Sequence, residues 1–233
     1  MTEVSEAESL ILERVSALDT LTISLADTLG TVLRQDIFAD RDYPPFHRVT
    51  MDGIAIAYQD WKTGKNTYQI LGTQGAGMPP MKLTETGQCV EIMTGAVLPE
   101  GTDTVVPIER VKIEDSKAKV DPDTSITERQ FVHSRGSDRA AGSQLIHAGS
   151  RIGPKEIAVL ASAGYTQVAV SRLAKVAVIS TGDELVSVEE PIKPYQIRST
   201  NGRTIEASLA QHQLAQTTRV RLKDERTKML NSI

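Results

Sequence analysis

Residues 176–185, VAVISTGDEL, constrain the fold more tightly than any other segment. The uninterrupted, β-branched apolar run predicts a strand buried on both faces, as in a parallel sheet. Thr181 and Gly182 then turn the backbone and place Asp183 and Glu184 just beyond the strand's carboxyl end. Open α/β sheets carry their ligand crevice at that edge, where carboxylates can hold Mg2+ or orient a polar substrate. The same carboxylates also suit the N-terminus of a following helix. The segment alone does not choose between these readings.

Upstream, the pattern changes twice. Val4, Ala7, Ile11, Val15 and Leu18 recur at helical spacing with Leu10 beside them, predicting an amphipathic first helix. Ser24 suits the N-cap of a second short helix through Leu29, with Gly30 at its C′ position. A strand is expected over 31–38, then an extended, proline-rich crossing over 40–50. From Met51 to about His133 short strands and turns take over, with Ile54, Ile56 and Tyr58 alternating. Further strands are expected at 68–71, 88–93 and 104–107. A last pair, 110–120 and 125–133, is joined by a turn at Asp121-Pro122-Asp123, and 72–80 reads as a loop. This is the spacing of a small β-domain or barrel. Helical signals return with Pro154 at a first helical position and Gly164 past the end of 155–163. A strand at 166–170 follows. Beyond the 176–185 strand, a helix is expected over 198–211 and a strand end plus amphipathic helix over 219–233. Sheets typically hold about five strands, so an α/β unit with about two reads as incomplete.

Composition removes several classes of function. The chain's 233 residues are enough for one or two domains with a sizeable core. A net charge of −4 with interspersed signs, and only 4% aromatics, argue against nucleic acid as the partner. Cys89 is the single cysteine, which rules out an intrachain disulfide and fits a reducing compartment. The N-terminus is polar and acidic, unlike a secretory signal or transit peptide. No apolar stretch is long enough to span a bilayer. A cytoplasmic protein without membrane or nucleic-acid partners is expected.

Two further motifs present polar groups on turns. PPFHRVTMDG rigidifies a loop and sets Asp52 beside Gly53, where it can bind a cation, accept a ligand hydrogen bond or close an Asx-turn. IMTGA joins a strand to a turn in which Thr94 and the amides of Gly95 and Ala96 can meet an anion, or simply reverse the chain. A sugar- or nucleotide-binding β-domain has only this turn behind it, since no P-loop or Rossmann fingerprint is present.

Taken in order, PPFHRVTMDG, EIMTGAVLPEGTDTVVPIE, RGSDRAAGSQLIHAGSRIGPKEIAVLASAG, VAVISTGDELV and IRSTNG resemble the molybdopterin molybdenumtransferase family, which includes MoeA and the gephyrin E domain. The resemblance runs from the first helix to nearly the last residue. It implies a mixed α/β and β, multidomain fold. Residues 1–48 with 140–172 would form an elongated linker and dimerisation domain. Residues 49–139 would be an inserted β-rich, barrel-like domain, and 173–233 the start of a three-layer, MogA-like α/β domain.

The implied activity is the last step of molybdenum cofactor assembly. Adenylylated molybdopterin is hydrolysed with a divalent cation, expected to be Mg2+, and molybdenum from molybdate is left on the dithiolene as AMP departs. The implied partners are a second copy of the chain, in an elongated homodimer, and the molybdopterin adenylyltransferase. The family's site lies between the α/β domain of one subunit and the second domain of its partner. The family's functional positions match Asp52, Thr94, Asp138 and Glu184 as catalytic residues. Thr94, Gly95, Ala96, Thr181, Gly182 and Glu184 are expected to bind the pterin substrate, and Asp183 and Asp224 the metal. Asp52 and Asp138 are suited to orient metal-bound water or act as base. Val49 replaces the family's usual serine and Ile54 its usual tyrosine. A glycine-rich GGVS-type loop, a proline-containing loop and a fourth, β-rich domain are not in the sequence, so the chain alone is expected to be inactive. The alternative implied by the same resemblance is a non-catalytic dimerising or binding module.

Overall fold

The computed structural model describes residues 2–213 and 215–224. Two compact units result, Phe38–Gln144 and the flanking Met1–Ile37 with Leu145–Ile233.

The Phe38–Gln144 unit is built on a six-stranded sheet. Its order is Thr104–Pro107, Gly53–Ile56, Gln88–Ile92, Thr67–Gln74, Lys117–Val120, Val111–Glu114. Side chains alternate across the strand Gly53–Ile56, yet all four residues are buried, because both faces are covered. Ile54 and Ile56 pack with Tyr68, Cys89, Val106, Ala118 and Val120. Ala55 joins a second cluster with Val49, Ile92, Ala96 and Val105 on the opposite face. That second cluster underlies the loops carrying the candidate site.

Several expectations for this unit need correction. Tyr58 does not continue the alternation but starts the helix Tyr58–Lys62. The strand Thr67–Gln74 runs on through Gly72, which the sequence reading assigned to a loop. The hairpin at 111–120 turns at Asp115 and Ser116, both with positive φ (48° and 60°) as a type I′ turn requires. Asp121-Pro122-Asp123 follows the hairpin, and of 125–133 only Val132–His133 is a strand.

In the flanking unit, the strand Thr20–Ser24 pairs antiparallel with Gln167–Ser171 over a core of Leu33, Ile37, Ile152, Leu160, Val168 and Val170. The helix Pro154–Ser162 starts where Pro154 predicts, and Glu156 folds back to accept the Gly153 N–H at 2.9 Å. The first helix is shorter than its sequence stripe, Val4–Leu12, and buries no residue. Ser24 caps only a 3-10 turn, Leu25–Asp27, not a helix reaching Leu29. The stretch 31–38 holds single bridges at Val32 and Leu33 and the strand Ile37–Phe38.

The strand Ala174–Thr181 pairs parallel with Ala215–Leu222, the topology the sequence predicts. Its burial differs from the prediction: only Val178 is buried, and Lys175, Ala177, Ile179 and Thr181 are exposed. The exposed residues all share one face, while the helix Asn201–Gln211 lies on the other, the face of Val178 and Ser180. The following helix is Asn201–Gln211, preceded by a short strand Ile197–Arg198. The amphipathic helix expected toward residue 233 falls mostly on 225–233, outside the described residues. Among the described residues, no helix is long and apolar enough to cross a membrane.

Candidate functional site

Strand register sets the first group of site residues. Gly53 stands opposite Ile92 and opposite Pro107, so Asp52 leaves the middle of the sheet beside the end of Gln88–Ile92, where the chain turns through Met93 and Thr94. A single carboxylate oxygen, Asp52 Oδ1, accepts both the Thr94 N–H at 2.6 Å and the Thr94 hydroxyl at 2.7 Å. These two donors, the hydroxyl first and the amide second, hold the Asp52 carboxyl below the usual carboxylate range. Among the described residues Oδ2 takes no hydrogen bond, and the side chain is exposed. Asp52 at neutral pH is therefore an ionised, aimed acceptor.

The turn itself has little capacity left for an anion. Gly95 N–H donates to Val49 C=O at 2.9 Å, and Ala96 N–H to Met93 C=O at 3.1 Å. With the Thr94 amide on Asp52, all three amides are engaged. An oxyanion cradle made from Gly95 and Ala96 requires these bonds to be given up. Gly95 has φ +89°, which explains the glycine.

The second group shares the segment Arg48–Asp52. Arg48–Val49 pairs antiparallel with Val132–His133, while Val49 N–H donates to Ala96 C=O at 3.0 Å on its other side. His133 Nε2 lies 3.0 Å from Asp138 Oδ1, and Arg48 Nη2 lies 3.4 Å from His133 Nδ1. A guanidinium only donates, so in a hydrogen bond with Arg48 the Nδ1 atom accepts, and Nε2–H is then the donor to Asp138. Asp138 N–H is anchored on Tyr43 C=O at 2.9 Å. Nearby, Asp42 accepts the Ala141 N–H at 2.9 Å and Arg135 Nε at 2.6 Å, which together keep its carboxyl below the usual range. Arg48 and His133 escaped the sequence reading. They meet only through two strands of two residues each, too short to leave a periodic signal.

Thr181, Gly182, Asp183, Glu184 and Asp224 belong to the other unit. Thr181 stands opposite Leu222 in the parallel pair, so Asp183 and Asp224 each lie two residues past the last paired position. Gly182 has φ +142°, and the Glu184 carboxylate folds back over it; a Cβ there would meet Glu184 Oε2 at 2.6 Å. No helix starts after Glu184, because the next element is the strand Leu185–Val186, so the helix-capping reading of Asp183 and Glu184 fails. At the same strand edge, Ser180, Thr181, Ser199, Thr200, Asn201 and Gly202 line a cleft of about 290 Å³. Among the described residues no group of three or more His, Cys, Asp and Glu is placed to hold a metal. Asp183 and Asp224 are both exposed.

Residues 2–164 match the family model for the MoeA N-terminal region (domain I and II). The chain is 37% identical over 188 residues to a molybdopterin molybdenumtransferase of Synechocystis, covering 81% of this chain and 48% of that protein. A molybdopterin molybdenumtransferase of Staphylococcus epidermidis is 36% identical over 214 residues, covering 88% of this chain and 49% of that protein. Among solved structures, two of the molybdopterin biosynthesis MoeA protein from Pyrococcus horikoshii superpose with TM-scores of 0.85 and 0.86 at 28% and 27% identity. They cover 100% and 98% of this chain and 60% and 62% of theirs. The chain thus spans about half the length of these curated relatives. On the family match and the likeness in structure together, it belongs to the MoeA N-terminal region (domain I and II) family.

Proposed function

We propose that the protein serves the last step of molybdenum cofactor assembly in the cytoplasm, as part of a homodimeric molybdopterin molybdenumtransferase. In that step adenylylated molybdopterin is hydrolysed to release AMP, and molybdenum from molybdate is left on the dithiolene. The observation that carries the reading is the Asp52–Thr94 pair, an exposed carboxylate held ionised and aimed by two donors where the strand Gly53–Ile56 begins. The names of the relatives support the reaction, and the exposed apolar residues of the first helix, Ile11 at 63% and Leu12 at 65%, support the dimer.

Hydrolysis of a phosphoanhydride places an oriented water in line with the bond to the leaving phosphate. Asp52 Oδ2 accepts a hydrogen bond from that water or from the substrate, while Thr94 keeps the carboxylate from rotating. Asp138 takes the water's proton, and the His133 Nε2–H on its other side holds the carboxylate in place. Glu184 binds polar atoms of the pterin, beside Thr181 and Gly182 at the strand edge. Asp183 and Asp224 would hold Mg2+, which supplies neutralisation of phosphate charge when bound. Thr94 acts chiefly through Asp52, given that the Gly95 and Ala96 amides are committed elsewhere. The adenylyltransferase that makes the substrate is the proposed protein partner.

The test is AMP release from adenylylated molybdopterin, with Mg2+ and molybdate, by a protein in which this chain is joined to the remainder of the Synechocystis relative. Asp52→Asn and Glu184→Ala are each expected to lower the rate by about tenfold or more, since lost transition-state contacts of ~1.4 kcal/mol have that effect. Variants that release AMP at the parent rate would refute the assigned roles. Binding of the pterin with no AMP release would make the chain a non-catalytic binding module.

A further inference from the structure

Gln74 is the largest wholly buried polar side chain among the described residues, at 0% exposure. It closes the strand Thr67–Gln74 and spends each of its polar groups on a different piece of backbone. Its Nε2 donates to Val97 C=O at 2.6 Å, and its Oε1 accepts the Met81 N–H at 2.6 Å. Its backbone carbonyl accepts the Met93 N–H at 3.1 Å. The turn that carries Thr94 is thus gripped at both ends, at Met93 and at Val97. The loop 75–81 is closed by the same side chain, and it lies over the turn: a Cβ on Gly95 would sit 3.4 Å from Ala76 Cβ. Only a carboxamide offers a donor and an acceptor at this reach with no charge to bury.

We infer that Gln74 is a positioning residue for Asp52: its carboxamide locks the 93–97 turn to the 75–81 loop and so holds both Thr94 donors on Asp52 Oδ1. The importance of this for catalysis rests on the proposed function, but the coupling is present in the chain without substrate. Any relaxation of the turn withdraws the hydroxyl and amide together, because both belong to Thr94. Gln74 itself has no route to the substrate, so its effect is carried entirely by that pair.

Gln74→Met keeps the volume and removes both side-chain bonds, and the full chain carrying it is titrated by carboxyl NMR without ligand. The Asp52 carboxyl is expected to move up toward the ordinary carboxylate value, and the Thr94 amide to exchange about tenfold faster or more, given two orphaned backbone groups. Asp42, held by Ala141 and Arg135, is expected to titrate as before. A purely structural role would leave Asp52 unmoved in the folded variant, and that result overturns the inference. Hydrogen exchange on the unaltered chain gives a second arm that does not depend on the variant folding. Met81, Met93 and Thr94 amides should open as one unit, and a Thr94 amide that opens independently of Met81 also overturns it. Failure of the Asp52→Asn effect on AMP release would instead remove the functional reading and leave the Gln74 coupling standing.

Discussion

Gly53→Ala places one methyl at the tightest backbone approach in the sheet. Gly53 does not need its glycine for an unusual φ; the contact decides the residue. A Cβ there would lie 1.9 Å from the Val106 carbonyl oxygen, 2.8 Å from the Val106 carbonyl carbon and 3.0 Å from Pro107 Cα. Real Cβ atoms essentially never come within 3.0 Å, so Gly53–Ile56 and Thr104–Pro107 must separate by roughly 1 Å at this point. Backbone cannot rotate aside as a side-chain tip can. A shift of that size carries a hydrogen bond of ordinary length out of its working range. Losing one or two bonds between buried groups costs about 2–4 kcal/mol. Such a loss leaves a folded protein with a lower midpoint, by about 1–2 M in urea. Trp61, the only tryptophan, packs against the cluster containing Ile54, Ile56 and Val106, so its fluorescence reports unfolding of this unit. Asp52 is adjacent, and its bonds to Thr94 should loosen in the same variant. A Gly53→Ala protein within about 0.5 kcal/mol of the parent would mean that the sheet absorbs the methyl and that the close approach does not fix the glycine of the MDG motif.

Thr94→Val removes the hydroxyl that contributes most to the lowered Asp52 carboxyl, so Asp52 should titrate at higher pH by NMR; an unchanged titration would sink the pairing. The sign follows from linkage: a depressed folded pKa contributes stability above the unfolded value, about 3.9, and loses it as pH falls through the folded value. In the variant that acid loss therefore shrinks. Cys89 is fully buried, and burial first, with the Glu91 charge second, pushes its thiol up to about 12. It should resist iodoacetamide at pH 8 in the native protein and react only on unfolding. Stoichiometric labelling of the folded chain would contradict that.

Elements with strong punctuation were legible in the sequence. Pro154 and Gly164 bracket the helix Pro154–Ser162 to within a residue, and the strands Gln88–Ile92 and Thr104–Pro107 fall where their apolar runs place them. Turn chemistry misled where it was atypical. Asp-Pro-Asp at 121–123 has the stronger turn composition, yet the hairpin reverses at Asp115 and Ser116, two residues in a left-handed conformation without glycine or asparagine. The apolar run at 176–181 gave the parallel strand correctly, but burial depends on neighbours that no local pattern describes. The motifs single out Asp52, Thr94 and Asp138. The Asp52–Thr94 pair and the Arg48–His133 contact bridge 42 and 85 residues of sequence, whereas Asp138 meets His133 only five residues away. The engaged amides of Gly95 and Ala96 illustrate the same limit, since a TGA turn reads as an anion site until its backbone acceptors are known.

Equilibrium binding of adenylylated molybdopterin to this chain, measured by calorimetry for the parent and for Asp52→Asn, tests the assigned site most directly. The expected result is binding by the parent that weakens about tenfold or more in the variant, in step with loss of a charge-assisted hydrogen bond. Equal binding by the two proteins, or none by the parent, would contradict the placement of the substrate at the Asp52–Thr94 pair.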